Sequence, residues 1–277
     1  MLKSHPSTGA RRRLKRGQKF RNFYIYLVLF FLFLPIFILV FFSFNESKSL
    51  TRFTGFSLQW YQKLFESRSI REAIYYTLLI AVIATIISTI IGTLTAIGLS
   101  KSNKILRAIV LQINDIPMMN PDIVTAIGFM LLFTSLGVDK GLGTILLAHI
   151  SFCIPYVILT VMPRLRQLDD NLAEAALDLG ATPLQALTKV IIPQLKGSII
   201  SGALIAFTMS FDDFVISFFT SGPKVSNIAI YVYSSIKRIN PTINALSTII
   251  VVIVTTVLII VNVVPMIKDR KTRGIEE

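Results

Sequence analysis

Residues 169–193 read DDNLAEAALDLGATPLQALTKVIIP, a polar stretch lying between long apolar runs. Leu172, Ala175, Ala176 and Leu179 recur at helical spacing and place an apolar stripe on a short helix, with Glu174 and Asp178 on another part of its surface. Gly180 stops that helix, because a residue without Cβ enters the left-handed region cheaply. Thr182 caps the next helix, Pro183 suits its first position, and Gln185 completes a Thr-x-x-Gln capping box. Pro193 marks where this second helix ends. The stretch is therefore a helix–turn–helix knuckle held between membrane spans, and something outside the membrane must hold it.

Composition supplies the membrane. The chain has 277 residues, 53% hydrophobic content and 20 Phe, with a mean hydropathy of +0.68. These values describe a polytopic membrane protein rather than one or two soluble domains. The net charge of +13 does not imply nucleic acid, because of where it sits. Lys3, Arg11, Arg12, Arg13, Lys15, Arg16, Lys19 and Arg21 directly precede an apolar run, which is a topology signal with anionic headgroups as contacts. That run is too long for a cleavable signal peptide and lacks a small-residue cleavage site. The lone cysteine, Cys153, falls in an apolar run and cannot form an intrachain disulfide. No CxxC or Cys/His cluster suggests a metal.

Residues 1–22 read as a basic cytoplasmic tail, disordered at its start. Six spans follow within 23–265, at about 23–44, 73–99, 108–136, 142–162, 198–219 and 244–265, with a C-terminal tail over 266–277. The fold class is all-α and polytopic. In the outer segment 45–72, Ser57 is expected to cap an interfacial helix whose membrane face is Leu58, Trp60, Tyr61, Leu64 and Phe65. Ala81, Ala84, Ser88, Gly92 and Ala96 make the second span suited to close helix packing. Pro117 and Pro121 break or kink the third, which then faces protein or a cavity rather than lipid. About two thirds of the 28 Lys and Arg fall in the segments that share a side with the knuckle. The positive-inside rule puts both termini and the knuckle in the cytoplasm. No internal repeat marks the chain as a secondary transporter.

Few residues carry chemistry. There is no phosphate-binding G-x-x-x-x-G-K-[ST] loop, so any ATP must be bound elsewhere, and no hydrolytic triad. Asp212 and Asp213 lie about 14 residues into the fifth span, roughly 21 Å from its cytoplasmic end. Insertion scales charge such a pair up to ~5–7 kcal/mol, so it must face water, a cation or a protein partner. Adjacent helical positions point about 100° apart, so the two carboxylates need not share a task. They line a substrate path, or one of them caps a helix break or pairs with a base. Asp122, after Pro121, either lines the cavity opened by the break or caps the helix restarting there; Asp115 is a weaker instance. His149, in the fourth span, is a proton relay or ligand, or a neutral ring hydrogen-bonded to a neighbouring helix.

The knuckle resembles the EAA motif of ABC-importer permeases: Glu-Ala-Ala, three residues, Gly, nine residues, then Ile-x-Leu-Pro. Glu174, Ala175, Ala176, Gly180 and Pro193 match, while Val190 and Ile192 stand where the family usually has Ile and Leu. The resemblance runs from the first span to the sixth. WYQKLF, PDIV, IPYV and above all FDDFVISFFTSGP are similar to the spermidine/putrescine permeases of the PotC type. This implies the type I ABC-importer (MetI-like) fold, with Glu174, Ala175, Ala176, Gly180 and Pro193 at the ATPase-coupling interface. It also implies a second, PotB-like permease, two PotA-like ATPases carrying the ATP and Mg, and a PotD-like extracellular binding protein. The chain itself would be no enzyme and bind no cofactor, in a bacterial cytoplasmic (inner) membrane.

The expected function is a permease that imports polyamines by alternating access, with Asp212, Asp213 and Asp122 on the substrate path. The sequence is also compatible with three alternatives: an ABC permease for an amino acid, opine or iron, a secondary cation transporter using the same aspartates, and a non-transporting membrane scaffold.

Overall fold

A computed structural model describes the backbone of residues 8–49, 51–169, 171–235 and 241–273, and the side chains of these residues except 8–17, 19, 20, 258 and 260–273. Among the described residues the regular elements are helical, and one bridge, Asn45 to Phe56, is the only β pairing. The chain divides into two units, Met1–Ser67 with Ser235–Glu277, and Arg68–Ser234.

The first unit holds α1 (Thr8–Ser43), α2 (Gln59–Glu66) and α12 (Thr242–Arg273), with α12 packing on both others. The disorder expected at the start of the tail falls on residues 1–7, which lie outside the described residues; from Thr8 the backbone is already helical. Arg, Lys and Leu are good helix formers, and extending a helix costs far less than starting one. Pro35 is carried inside α1, and Phe30, Phe31 and Phe37 around it are exposed. A helix is present where the interfacial one is expected, as α2, but the apolar face assigned to the membrane is corrected. Trp60 and Leu64 are buried, and the Trp60 indole N–H donates to Asn45 O at 2.6 Å. Leu58 and Phe65 stay exposed. A buried tryptophan needs a partner for its N–H, and the chain itself provides one. Leu58, not Ser57, is the N-cap residue, although the Ser57 hydroxyl accepts from Gln59 N at 3.2 Å.

The second unit is built on α3 (Arg68–Lys101), α6 (Leu142–Leu165) and α9 (Ile192–Asp212), which pack pairwise against one another. The small residues of α3 make this possible: Ala81, Ala84, Ser88, Gly92 and Ala96 are all buried. A Cβ placed on Gly92 would lie 2.7 Å from Val157 Cβ, and one on Gly202 would lie 3.5 Å from Val157 Cα. The three backbones thus close around Val157, in the manner of small-residue packing in lipid.

The third expected span is two helices, α4 (Lys104–Met119) and α5 (Asp122–Ser135), bent by 105°. The break falls at Asn120–Pro121, and Pro117 stays inside the last turn of α4. Among the described residues four helices are long and apolar enough to cross a membrane, or five if the bent pair is one span. The sixth expected span falls on α12, whose recorded apolar part is Thr242–Val257.

The knuckle comprises α7 (Leu172–Asp178), a left-handed Gly180 at φ +86°, α8 (Pro183–Gln185) and a π turn, Ala186–Ile191. The capping box is formed: Gln185 N donates to Thr182 Oγ1 at 3.3 Å, and Thr182 N donates to Gln185 Oε1 at 2.9 Å. Pro193 does not end the second helix, contrary to the sequence reading. The chain continues from Pro183 to Asp212 as one span. The Ile192 N–H reaches back to Leu187 O, five residues earlier. This wide turn precedes the proline ring, which in a regular α-helix would clash with the carbonyl four residues back.

Candidate functional site

Two places in the second unit concentrate polar groups. One is inside the helix core, where α9 breaks. The backbone turns extended at Asp213 (φ −63°, ψ 128°) and resumes as α10 (Val215–Thr220). In a membrane such a break must satisfy its freed backbone groups internally. Asp213 does so: Oδ2 accepts from Ser217 N at 2.7 Å and Oδ1 from Ile216 N at 3.3 Å. His149, on α6 and 0% exposed, presents Nε2 to the same Oδ2 at 3.4 Å. Its Nε2 also meets Ser217 Oγ at 3.0 Å, and its Nδ1 meets Ser210 Oγ at 2.7 Å. Asn227 Nδ2 donates to Ser217 Oγ at 2.8 Å, and Asn227 Oδ1 accepts from Ile230 N at 2.9 Å. Thr77 Oγ1, on α3, accepts at 2.8 Å from the N–H of Ile228, which opens α11 (Ile228–Ser235), and ties the start of that helix to the core.

The two neighbouring aspartates therefore differ. The Asp213 side chain is only 7% exposed and is occupied with capping and His149. Asp212, in the last turn of α9, is exposed. Of the readings left open for His149, the geometry has the ring hydrogen-bonded to neighbouring helices. Asp122 is exposed in the first turn of α5, and no side chain caps that helix. Asp115 is exposed and its Oδ1 accepts from Asn114 Nδ2 at 3.5 Å. Of the three aspartates expected on the substrate path, Asp212 and Asp122 are thus exposed, at two different helix breaks, and the Asp213 side chain is not. Sequence reading missed Ser210, Ser217, Asn227 and Thr77. The one signal for them is the serine four residues after Asp213, a capping spacing at a helix restart.

The other place is the knuckle. Glu174 and Asp178 are exposed, and so are Leu179 at 89% and Leu184 at 69%. Leu179 is the C-cap of α7, beyond its helical repeat. The expected stripe is accordingly shifted: Leu172, Ala173 and Ala176 are half-buried, while Ala175 and Leu179 point out. Gly180 and Pro193 are exposed as well. Large exposed leucines beside carboxylates, on a capped and rigid turn, form a surface suited to a protein partner.

Among the described residues no group of three His, Cys, Asp or Glu could hold a metal ion. Cys153 is buried, and its Sγ approaches Ala206 O at 3.5 Å.

Comparison with known proteins gives a consistent picture. The family model described as binding-protein-dependent transport system inner membrane component matches residues 88–274. The spermidine/putrescine transport system permease protein PotC of Haemophilus influenzae is 38% identical over 84% of this chain and 91% of its own. Its counterpart in Escherichia coli K12 is 36% identical over 93% and 97%. The putrescine transport system permease protein PotI of Escherichia coli K12 is 39% identical over 79% and 81%. Among solved structures, a chain of a bacterial ABC transporter involved in import of the acidic polysaccharide alginate superposes with a TM-score of 0.71 at 18% identity, covering 95% of this chain and 99% of that one.

Proposed function

The chain belongs to the family of binding-protein-dependent transport system inner membrane components, and we propose that it is the permease subunit of an ATP-driven importer of polyamines, spermidine or putrescine. The observation that carries this reading is the 36% to 39% identity to PotC and PotI, spread over most of both chains. The structural likeness to the alginate system supports the fold alone, since that solute carries the opposite charge.

In the proposed mechanism two PotA-like ATPases bind ATP and Mg and seat on the knuckle, with Glu174, Leu179 and Leu184 at the contact. The capped Thr182–Gln185 turn and the continuous helix to Asp212 make the knuckle a stiff lever. Closure of the ATPases would move it together with α9, rocking the three-helix core between outward-open and inward-open states. A PotB-like permease completes the path, and a PotD-like binding protein delivers the solute from outside. Asp212 and Asp122 then face the path, where carboxylates suit a multivalent cation. Asp213 holds the helix break that positions Asp212. Both termini and the knuckle lie in the cytoplasm of a bacterial cell.

Uptake of radiolabelled spermidine and putrescine, in cells carrying the complete transport operon, tests this. ATP-dependent, saturable uptake is expected. Asp212→Asn should weaken it with normal membrane levels, and Glu174→Lys should abolish it while leaving extracellular capture intact. An assembled complex with no polyamine uptake would transfer the assignment to a different solute.

A further inference from the structure

Behind the knuckle lies a cleft of about 380 Å³ that the transport reading does not use. Its walls are apolar, including Ile97 of α3, Leu165 of α6 and Leu187 of the π turn. Its charged lining is Lys101, Arg107, Arg166 and Asp169, three cations against one carboxylate. Arg107 is half-buried, with Nη1 3.5 Å from Ser100 O. Among the described residues neither Arg107 nor Arg166 is in a salt bridge. The Asp169 carboxylate accepts from Asn171 N at 2.9 Å, which holds it at the rim.

The depth of the cleft follows from the spans. Lys101 is the last residue of the span Arg68–Lys101, and Arg166 directly follows the span Leu142–Leu165. The span beginning at Pro183 supplies the third wall. Three span ends meeting at one opening place it at the boundary between hydrocarbon and water. Cations over an apolar hollow at that depth match an amphiphile with an anionic head.

We propose that this cleft binds the headgroup of an anionic phospholipid. The phosphate sits among Lys101, Arg107 and Arg166, and the glycerol and first methylenes enter the apolar hollow. Ala173 and Leu177 of α7 line the same cleft, so the lipid touches the knuckle and both spans at once and steadies one against the other. The proposal rests on the membrane placement of the spans and not on the identity of the transported solute.

The test uses the full chain with the subunits that co-purify with it, in a neutral detergent. Phosphatidylglycerol or phosphatidylcholine is titrated in, and retained lipid is read by native mass spectrometry. Preferential retention of phosphatidylglycerol is expected. Arg107→Gln should lower it about fivefold, as should Arg166→Gln. Lys104→Gln, outside the cleft lining, should leave retention unchanged. Asp169→Asn should raise it, a gain that misfolding cannot imitate. Equal retention of the two lipids overturns the site, as does an equal loss with Lys104→Gln. Displacement by inorganic phosphate at equal concentration also overturns it, because a free anion would then be the ligand. Retention is read without transport, so failed uptake with normal lipid binding counts against the importer reading alone.

Discussion

Replacing Asp213 separates a capping carboxylate from its exposed neighbour, Asp212, for which a place on the solute path is proposed. In Asp213→Ala the amides of Ile216 and Ser217 lose acceptors at 3.3 and 2.7 Å. Both residues are 0% exposed, so water cannot readily replace the lost oxygen. Each unpaired buried donor costs about 1–3 kcal/mol. With some relaxation the total is about 2–4 kcal/mol, exceeding an exposed cap loss of 0.5–2 kcal/mol. Asp213→Asn keeps one acceptor oxygen and should lose roughly half as much. Asp212→Asn, at an exposed position, should change stability by less than about 0.5 kcal/mol. The assay is unfolding of the purified chain in micelles with rising SDS, followed by far-UV circular dichroism. A cycle with His149→Ala should add a coupling of about 0.5–3 kcal/mol, since the Nε2 to Oδ2 distance is 3.4 Å. If Asp213→Ala unfolds with the same midpoint as Asp212→Asn, the capping argument fails. Asp213 would then belong to the solute path with its neighbour.

Three other substitutions, one of them with a control, follow from the packing and the turns. Gly92→Leu should cost more than about 1–3 kcal/mol, because a Cβ alone comes within 2.7 Å of Val157 Cβ; folded yield should drop, with partial recovery in Gly92→Leu/Val157→Ala. Gly98→Ala, where an added Cβ meets nothing within 4 Å, is its control and should be neutral or slightly stabilising. Asn45→Ala should free the loop before α2, since Asn45 Nδ2 donates to Ser49 O and Arg52 O, both at 2.9 Å, and Oδ1 accepts from Thr54 N at 2.9 Å; limited proteolysis should cut between Glu46 and Phe56 far faster. Gly180→Ala should cost about 1–2 kcal/mol through its φ of +86° alone, as no atom lies within 4 Å of the added Cβ, and thermal melting of the assembled complex would register it.

What the sequence made legible was what a few neighbouring residues decide. The capping box at Thr182 and the left-handed Gly180 depend on local chemistry and were readable as such. So was the interruption at Pro121, because proline restricts its own φ and the residue before it. The small residues of α3 were readable as a packing face because lipid offers few other reasons for them. Illegible were features set by distant partners. Trp60 looked like a membrane anchor until Asn45 O was found beside its N–H. Pro193 looked like a helix stop because nothing in the letters announces a π turn. The two aspartates are chemically identical in the string FDDF, and the helix ending between them leaves one exposed and the side chain of the other buried. The spacing of Asp213 and Ser217 hinted at a cap, but His149 and Asn227 join it only through the fold.

The two breaks in the apolar helices are not equivalent, and their difference organises the second unit. At Asp213 the amides of Ile216 and Ser217 are answered by its carboxylate, and Asn227 Nδ2 donates to the Asp213 carbonyl at 3.4 Å, within a cluster that also holds Ser210, Ser217 and His149. That closure fixes α10, which packs on α6 and on α5. The break between α4 and α5 has no such closure. Its N-cap is Pro121, no side chain caps the helix that follows, and Asp122 stays exposed. A backbone interruption at membrane depth survives only against protein or water. Since this chain leaves Asn120–Asp122 open, water or a partner subunit must meet it there. The closed break therefore acts as the fixed frame, α5 is held against that frame through α10, and the open turn is left for water or protein to satisfy.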